Sequence, residues 1–239
     1  MLTNRKVLVM GASSGIGRAT AVAFARAGAR VMASARRENR LKELQQELAG
    51  EELDIEYFAA DAASPQQISE LHRATVETIG DVEIMVYATG TNTPHRSMKG
   101  LAPEIWDEML AVNLSGAYHL SRAVLPAMRS AGYGHLIYIS SVSGLFPDAS
   151  GPAYQASKRG MLGVSHAIRL EEKESGIRTC TICPGLVDTE ILDKRLVKPG
   201  ADMLAKALRA EDVAAAVLFV AKLPPQVTIP ELEILPALL

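Results

Sequence analysis

Several things are scarce in this chain, and each shortage removes a class of protein. Only two cysteines occur, Cys180 and Cys183, in Thr179-Cys180-Thr181-Ile182-Cys183-Pro184. They supply no disulfide framework. A redox or metal Cys-x-x-Cys is the sharper alternative, but residues three apart on a strand point to opposite faces, and no second Cys/His pair with ligand spacing follows. Buried structural thiols are expected. His72, His119, His135 and His166 show no metal spacing either and are expected on the surface or in packing. Charge of one sign is missing too: 25 Lys+Arg against 27 Asp+Glu leaves −2, so no general attraction to nucleic acid or anionic membrane is implied. Long apolar runs are absent. Val7–Met10 is too short for a signal peptide core and runs into a glycine loop, and Val213–Ala221 falls far short of a bilayer span. A soluble cytoplasmic protein is expected. There are no repeats, low-complexity tracts or domain linkers.

What is present fits one large α/β domain over residues 1–239: the apolar fraction of 48% suffices for a sizeable core. Short apolar or alternating runs at Arg5–Met10, Arg30–Ser34, Leu53–Ala59, Val82–Ala88, His135–Ile139, Ile177–Ile182 and Thr228–Leu235 read as strands. Between them Arg18–Gly28, Arg40–Ala49, Pro65–Ile79, Pro103–Val112, Leu114–Ala131, Pro152–Glu174 and Asp212–Ala221 read as helices. Strict alternation predicts a doubly wound parallel sheet of about seven strands, of Rossmann type, with helices on both faces. A cofactor-binding half at 1–115 and a catalytic, substrate-binding half at 116–239 are expected. Residues 186–209 are irregular and predict a mobile lid.

Gly11-Ala12-Ser13-Ser14-Gly15-Ile16-Gly17 lies between the first strand and first helix. Glycines there let backbone approach a pyrophosphate, and the helix N-terminus favours its charge. The spacing is Gly-x-x-x-Gly-x-Gly, and the plain alternative is an ordinary β–α turn. Strand two lacks the terminal carboxylate that an NAD site uses for the ribose 2′-OH; Ala35-Arg36-Arg37 stands there instead. A guanidinium binds a 2′-phosphate where a carboxylate would repel it, so NADP(H) is the expected cofactor. Arg36 is the first candidate and Arg37 the second, with Arg40 on the solvated face of the next helix. Asp61, followed by Ala62, is either an adenine amino acceptor or a turn cap. Thr89-Gly90 ends strand four where a nicotinamide ribose would lie, and Pro184-Gly185, Val187 and Thr189 would shape the carboxamide end.

Tyr154 and Lys158 stand four apart on a helix opened by Pro152, so they share a face. The ammonium is expected to favour phenolate and lower the tyrosine pKa. A serine at the end of the preceding strand, in Ser140-Ser141-Val142-Ser143, would complete a grip on a carbonyl oxygen. So short a motif also arises by chance. Asn113 sits in a helix bend, where a buried asparagine can simply satisfy backbone.

Together these stretches resemble the short-chain dehydrogenase/reductase family over essentially the whole chain: Gly11–Gly17, Asp61, Asn113, a serine thirteen residues before the tyrosine, Tyr154-x-x-x-Lys158, and Pro184-Gly185 with Thr189 come in the family's order. That interval selects Ser141. The resemblance implies Tyr154 as proton donor and acceptor, Lys158 as holder of the nicotinamide ribose, Ser141 on the substrate oxygen and Asn113 holding a relay water. Two departures stand out. Met10 replaces the family's usual threonine, and Tyr87-Ala88-Thr89-Gly90 replaces Asn-Asn-Ala-Gly; both partners are expected to have become apolar together, leaving nothing polar unpaired. The ending Leu223–Pro236 lacks the Gly-Gly of many relatives and is similar to that of NADP-dependent 3-hydroxy acid dehydrogenases and related carbonyl reductases. The resemblance implies a small alcohol/carbonyl substrate and a dimer or tetramer built on helices Pro103–Ala131 and Pro152–Glu174; Lys194, Arg195, Lys198, His95 and Arg96 would attract a carboxylate, the plain alternative being solvated lid charges. The rivals are a reductase of a bulkier ketone or aldehyde, an epimerase or dehydratase on the same scaffold, and a non-catalytic NADP-binding regulator.

Overall fold

The computed structural model describes residues 2–238. Its chain runs β1 (Lys6–Met10), α1 (Gly15–Arg26), β2 (Arg30–Ala35), α2 (Glu38–Ala49), β3 (Ile55–Ala59), α3 (Pro65–Ile79), β4 (Ile84–Tyr87), α4 (Pro103–Leu110), α5 (Gly116–Ala131), β5 (Gly134–Ile139), α6 (Pro152–Glu171), β6 (Ile177–Pro184), α7 (Ala201–Leu204), α8 (Ala210–Lys222) and β7 (Glu231–Ile234). All seven strands pair in parallel, in the order β3-β2-β1-β4-β5-β6-β7. The order reverses between β1 and β4, which opens a crevice beyond their carboxyl ends. Parallel strands are buried on both faces, and β4, β5 and β6 are buried at every residue.

Two apolar cores lie on opposite faces of the sheet. One packs Phe24 of α1, Leu41 and Leu48 of α2 and Val217 of α8 on Val7, Val9 and Ile137. The other packs Leu71 of α3, Leu120 and Val124 of α5 and Met161 of α6 on Leu8, Met85 and Leu136. Each such side chain contributes about 1.5–3 kcal/mol when fully buried. Cys180 and Cys183 are free and buried. Burial pushes their thiols up, to about 12 and about 11. No helix among the described residues is long and apolar enough to cross a membrane.

Element bounds differ from the sequence reading where the chain's own chemistry interrupts a pattern. β7 begins only at Glu231, because Pro230 has no N–H for the ladder and offers just its carbonyl, to Thr181. The helix predicted at Pro152–Glu174 ends at Glu171 and gives way to a 3-10 turn, Lys173–Ser175. The helix bend at Asn113 is a π-helical turn, Ala111–Ser115, joining α4 to α5. Residues 186–209 are laced at their neck: Leu208 N–H donates to the Leu186 carbonyl and Asp188 N–H to that of Leu208.

Candidate active site

A cleft of about 400 Å³ opens at the carboxyl ends of the strands. Its floor at one end is the loop between β1 and α1. That loop is closed so tightly that a Cβ on Gly17 would lie 2.2 Å from the Gly11 carbonyl oxygen. Gly11, Ser13, Ser14, Gly15 and Ile16 face the cleft, and Gly17 supports them from below. The first turn of α1 carries no acidic residue, and Ser14 at its N-cap makes no side-chain cap hydrogen bond. Its leading N–H groups are therefore free of side-chain competitors, as an anion site requires.

The arginines fall in a different order from the sequence ranking. Arg37 hydrogen-bonds the Ser13 hydroxyl through Nε and Nη2, at 3.2 and 3.0 Å, and the Ser14 hydroxyl at 2.7 Å. Arg36 is the more exposed and lies 3.8 Å from Asp61. Arg40, expected on the solvated face of its helix, instead pairs with Glu190, which also receives Arg37 at 2.9 Å. Glu190 opens the 3-10 turn Glu190–Lys194, so this carboxylate ties the segment after Thr189 to the basic edge. No local pattern encodes that contact, which spans about 150 residues. Asp61 faces the cleft and also caps its own turn, accepting Ala63 N–H at 2.9 Å; Ala62 lies beside it.

At the other end stand Ser141, Tyr154 and Lys158, with Gly90, Pro184, Gly185, Val187 and Thr189 along the wall between. The Lys158 ammonium is 5.7 Å from the Tyr154 ring centroid. It is buried, donates to the Ile139 carbonyl at 2.9 Å, and burial brings it down to about 8. The expectation that Tyr154 lies below its ordinary value is corrected: burial dominates and raises it, Asp148 adding to the rise, while the Ser141 hydroxyl and Arg195 pull it back. Ammonium and phenol are neighbours, but Lys158 spends a proton on a carbonyl and does not dominate the tyrosine's ionisation. Among the described residues no direct hydrogen bond joins the Ser141 and Tyr154 hydroxyls.

Asn113 is wholly buried beneath this end. Its Oδ1 accepts Thr91 N–H at 2.7 Å, and its Nδ2 donates to the Thr91 carbonyl at 3.0 Å and the Ser157 hydroxyl at 3.1 Å. It thus fixes the Gly90–Thr91 edge against α6. The expectation that Met10 and Tyr87 form an apolar pair is half right. Met10 is buried, but the Tyr87 hydroxyl donates to the Val112 carbonyl. In an α-helix that carbonyl would receive Gly116 N–H; here Gly116 reaches past it to Ala111. Tyr87 therefore takes the place of a helical donor in the turn that carries Asn113. Gly116 makes room for it, since a Cβ there would lie 2.3 Å from the phenol oxygen. The tyrosine was visible in the sequence; its partner, 25 residues away, was not.

Of the basic residues predicted near the substrate, Arg96, Lys194 and Arg195 line the cleft. Lys194 Nζ donates to the Thr91 hydroxyl at 2.6 Å. Lys198 turns to Asp193 at 2.6 Å instead, and neither it nor His95 reaches the cleft.

The sequence pattern of the short chain dehydrogenase family matches residues 5–217. Among curated proteins the chain is 31% identical to the D-beta-hydroxybutyrate dehydrogenase of Cupriavidus necator, over 82% of this chain and 76% of that one. Among solved structures it resembles an alcohol dehydrogenase of the archaeon Thermococcus sibiricus complexed with 5-hydroxy-NADP, with a TM-score of 0.88 and 27% identity over 98% and 97% of the two chains. A closed form of serine dehydrogenase complexed with NADP+ gives 0.86 and 32% over 95% and 93%.

Proposed function

Because the chain belongs to the short-chain dehydrogenase family, we propose that this cleft carries out hydride transfer between NADP(H) and the carbon of a small hydroxy compound bearing a carboxylate. The protein is an NADP-dependent alcohol/carbonyl oxidoreductase. The observation that carries the substrate reading is the wall of the cleft. Arg96, Lys194 and Arg195 line it, Arg195 near Tyr154, Arg96 near Asp148 and Lys194 on Thr91, and none of the three has an ion-pair partner among the described residues. Cations gathered without partners around a partly enclosed site favour an anionic ligand. The relatives named for hydroxybutyrate and serine point the same way.

The cofactor fits this cleft. Gly11–Gly17 and the bare N-terminus of α1 suit the pyrophosphate, and Ser13, Ser14 and Arg37, with Arg36 beside them, suit the 2′-phosphate. Bound there, the nicotinamide supplies or accepts the hydride. The protein's own residues handle the proton and the geometry. Tyr154 protonates the substrate oxygen as it gains charge, or removes its proton in the reverse direction. Ser141 donates a hydrogen bond to the same oxygen. Lys158, held by the Ile139 carbonyl and close to Gly90, faces the nicotinamide ribose. Asn113 keeps Thr91 and Gly90 in register with α6, in addition to the water-holding role that the family resemblance assigns to it. Residues 186–209 close over the site, with Glu190 as their tie to the basic edge. Exposed Tyr118 on α5 and Leu170 on α6 support a face for a second copy.

NADPH consumption and NADP+ reduction measured over a panel of hydroxy acids, their methyl esters, and bulkier ketones and aldehydes test this reading. Turnover of the acids and a marked loss with the esters are expected. Equal turnover of esters and acids would remove the carboxylate from the substrate. NADPH binding without any turnover would leave a non-catalytic NADP-binding protein.

A further inference from the structure

Ser141 does not stand alone at the end of β5. It precedes a 3-10 turn, Val142–Gly144, and its Oγ accepts the Ser143 N–H at 3.2 Å. Its hydroxyl donates to Ser143 Oγ at 3.2 Å, and Ser143 in turn donates to Asp148 Oδ2 at 2.5 Å. The other carboxylate oxygen accepts Ser150 N–H at 2.9 Å. The Asp148 carbonyl accepts Gln155 Nε2 at 2.8 Å, which fastens the loop to the helix that carries Tyr154. Ser141 and Ser143 are both buried, while Asp148 sits at the rim. We propose that Asp148, acting through Ser143, is a positioning residue that fixes the direction in which the Ser141 hydroxyl donates; this rests on Ser141 and Tyr154 being the groups that meet the substrate oxygen.

Hydrogen-bond polarity sets the direction of each donor. An ionised carboxylate only accepts. Ser143 must therefore give its single hydroxyl proton to Asp148, and it cannot also give it to Ser141. The Ser143 N–H occupies one lone pair of Ser141. Of the two serine protons, that of Ser141, given to Ser143 Oγ at rest, is then the one able to turn toward an incoming oxygen. Burial works against the Asp148 carboxylate, but hydrogen bonds from Ser143 and Ser150, with Arg96 nearby, outweigh it and hold Asp148 below the ordinary carboxylate range. The groups that face Tyr154 are Ser141 from the end of β5, Asp148 from the following loop, Arg195 from beyond the Glu190–Lys194 turn, and Lys158 from α6 itself. Asp148 opposes loss of the Tyr154 proton. Removing its charge makes that loss easier, and removing the Ser143 hydroxyl does the same, because the Ser141 proton, no longer oriented by Ser143, turns to the Tyr154 oxygen in place of the substrate's.

Asp148→Asn, Ser143→Ala and the double variant test this, with thermal unfolding to confirm that each folds and NADPH titration to confirm the cofactor site. On an acid that the wild type turns over, both single variants are expected to lose about tenfold in kcat, less than the roughly 100- to 1,000-fold for outright removal of a donor to developing charge. NADPH affinity should stay within about twofold, and the double variant should be no worse than either single. A second readout needs neither substrate nor turnover: the ultraviolet difference titration of each protein against its own Tyr154→Phe counterpart, which isolates the Tyr154 phenolate. Its midpoint should fall in both variants. Unchanged kcat in both, losses that multiply in the double variant, or unmoved midpoints would overturn the proposal. If the wild type turned over no compound of the panel, the enzyme reading would fail, and the titration would still decide the role of Asp148. Should Asp148→Asn fail to fold, Ser143→Ala decides it alone.

Discussion

Replacing Arg37 with alanine, beside Arg36→Ala, separates what geometry assigns to these neighbours from what their order in the chain suggests. Arg37 is anchored by three hydrogen bonds to Ser13 and Ser14, which hold its guanidinium beside the N-terminus of α1. Arg36 is tied only to Asp61, at 3.8 Å, with its side chain 58% exposed. A charge-assisted hydrogen bond contributes about 1.5–3 kcal/mol, and about 1.4 kcal/mol is a factor of ten in affinity. Arg37 is itself 43% exposed, so solvent screening favours the low end of that range. NADPH should bind Arg37→Ala about 10- to 30-fold more weakly. NADH lacks the 2′-phosphate and should change by less than about threefold, as should NADPH binding to Arg36→Ala. Equilibrium titration by cofactor fluorescence at low and high salt measures both cofactors on the wild type and the two variants. The wild-type preference for NADPH should shrink as salt rises, and that of Arg37→Ala should respond less. A parallel loss for both cofactors, or a larger loss in Arg36→Ala than in Arg37→Ala, would refute the placement of the 2′-phosphate.

Three further outcomes follow from the same geometry. Tyr154→Phe should abolish turnover while leaving NADPH affinity largely intact, and full activity in it would remove Tyr154 from the chemistry. Tyr87→Phe strips the buried Val112 carbonyl of its donor and should cost about 1–3 kcal/mol in denaturant unfolding; an unchanged midpoint would mean that the π turn finds another partner. His135 is buried, and neither ring nitrogen has a hydrogen-bond partner among the described residues. Burial, with Arg178 nearby, brings it from 6.5 to about 3. The fold favours the neutral ring, so its stability is full above about pH 6.5 and falls as pH drops toward 3, by about 3 kcal/mol at pH 4.5. Urea unfolding of His135→Leu should show a shallower acid loss than the wild type, and parallel curves would count against this origin.

The local pattern of the chain was enough to place the strand–loop–helix with its glycines, the alternation that makes a parallel sheet, and the pairing of Tyr154 with Lys158 on one helical face. These depend on intervals of a few residues, where backbone geometry leaves few choices. The NADP preference was also legible, because a missing carboxylate and an added guanidinium are residue types in a fixed place. What the sequence left undecided needed atoms from distant segments to meet. Arg37, and not Arg36, meets the loop serines Ser13 and Ser14. Arg40 found Glu190, Tyr87 found Val112, and Asp148 found Ser143 through approaches that no spacing encodes. The ionisation of Tyr154 likewise turned on how much water the fold removes, since desolvation acts through the whole surrounding volume and not through the neighbour four residues away.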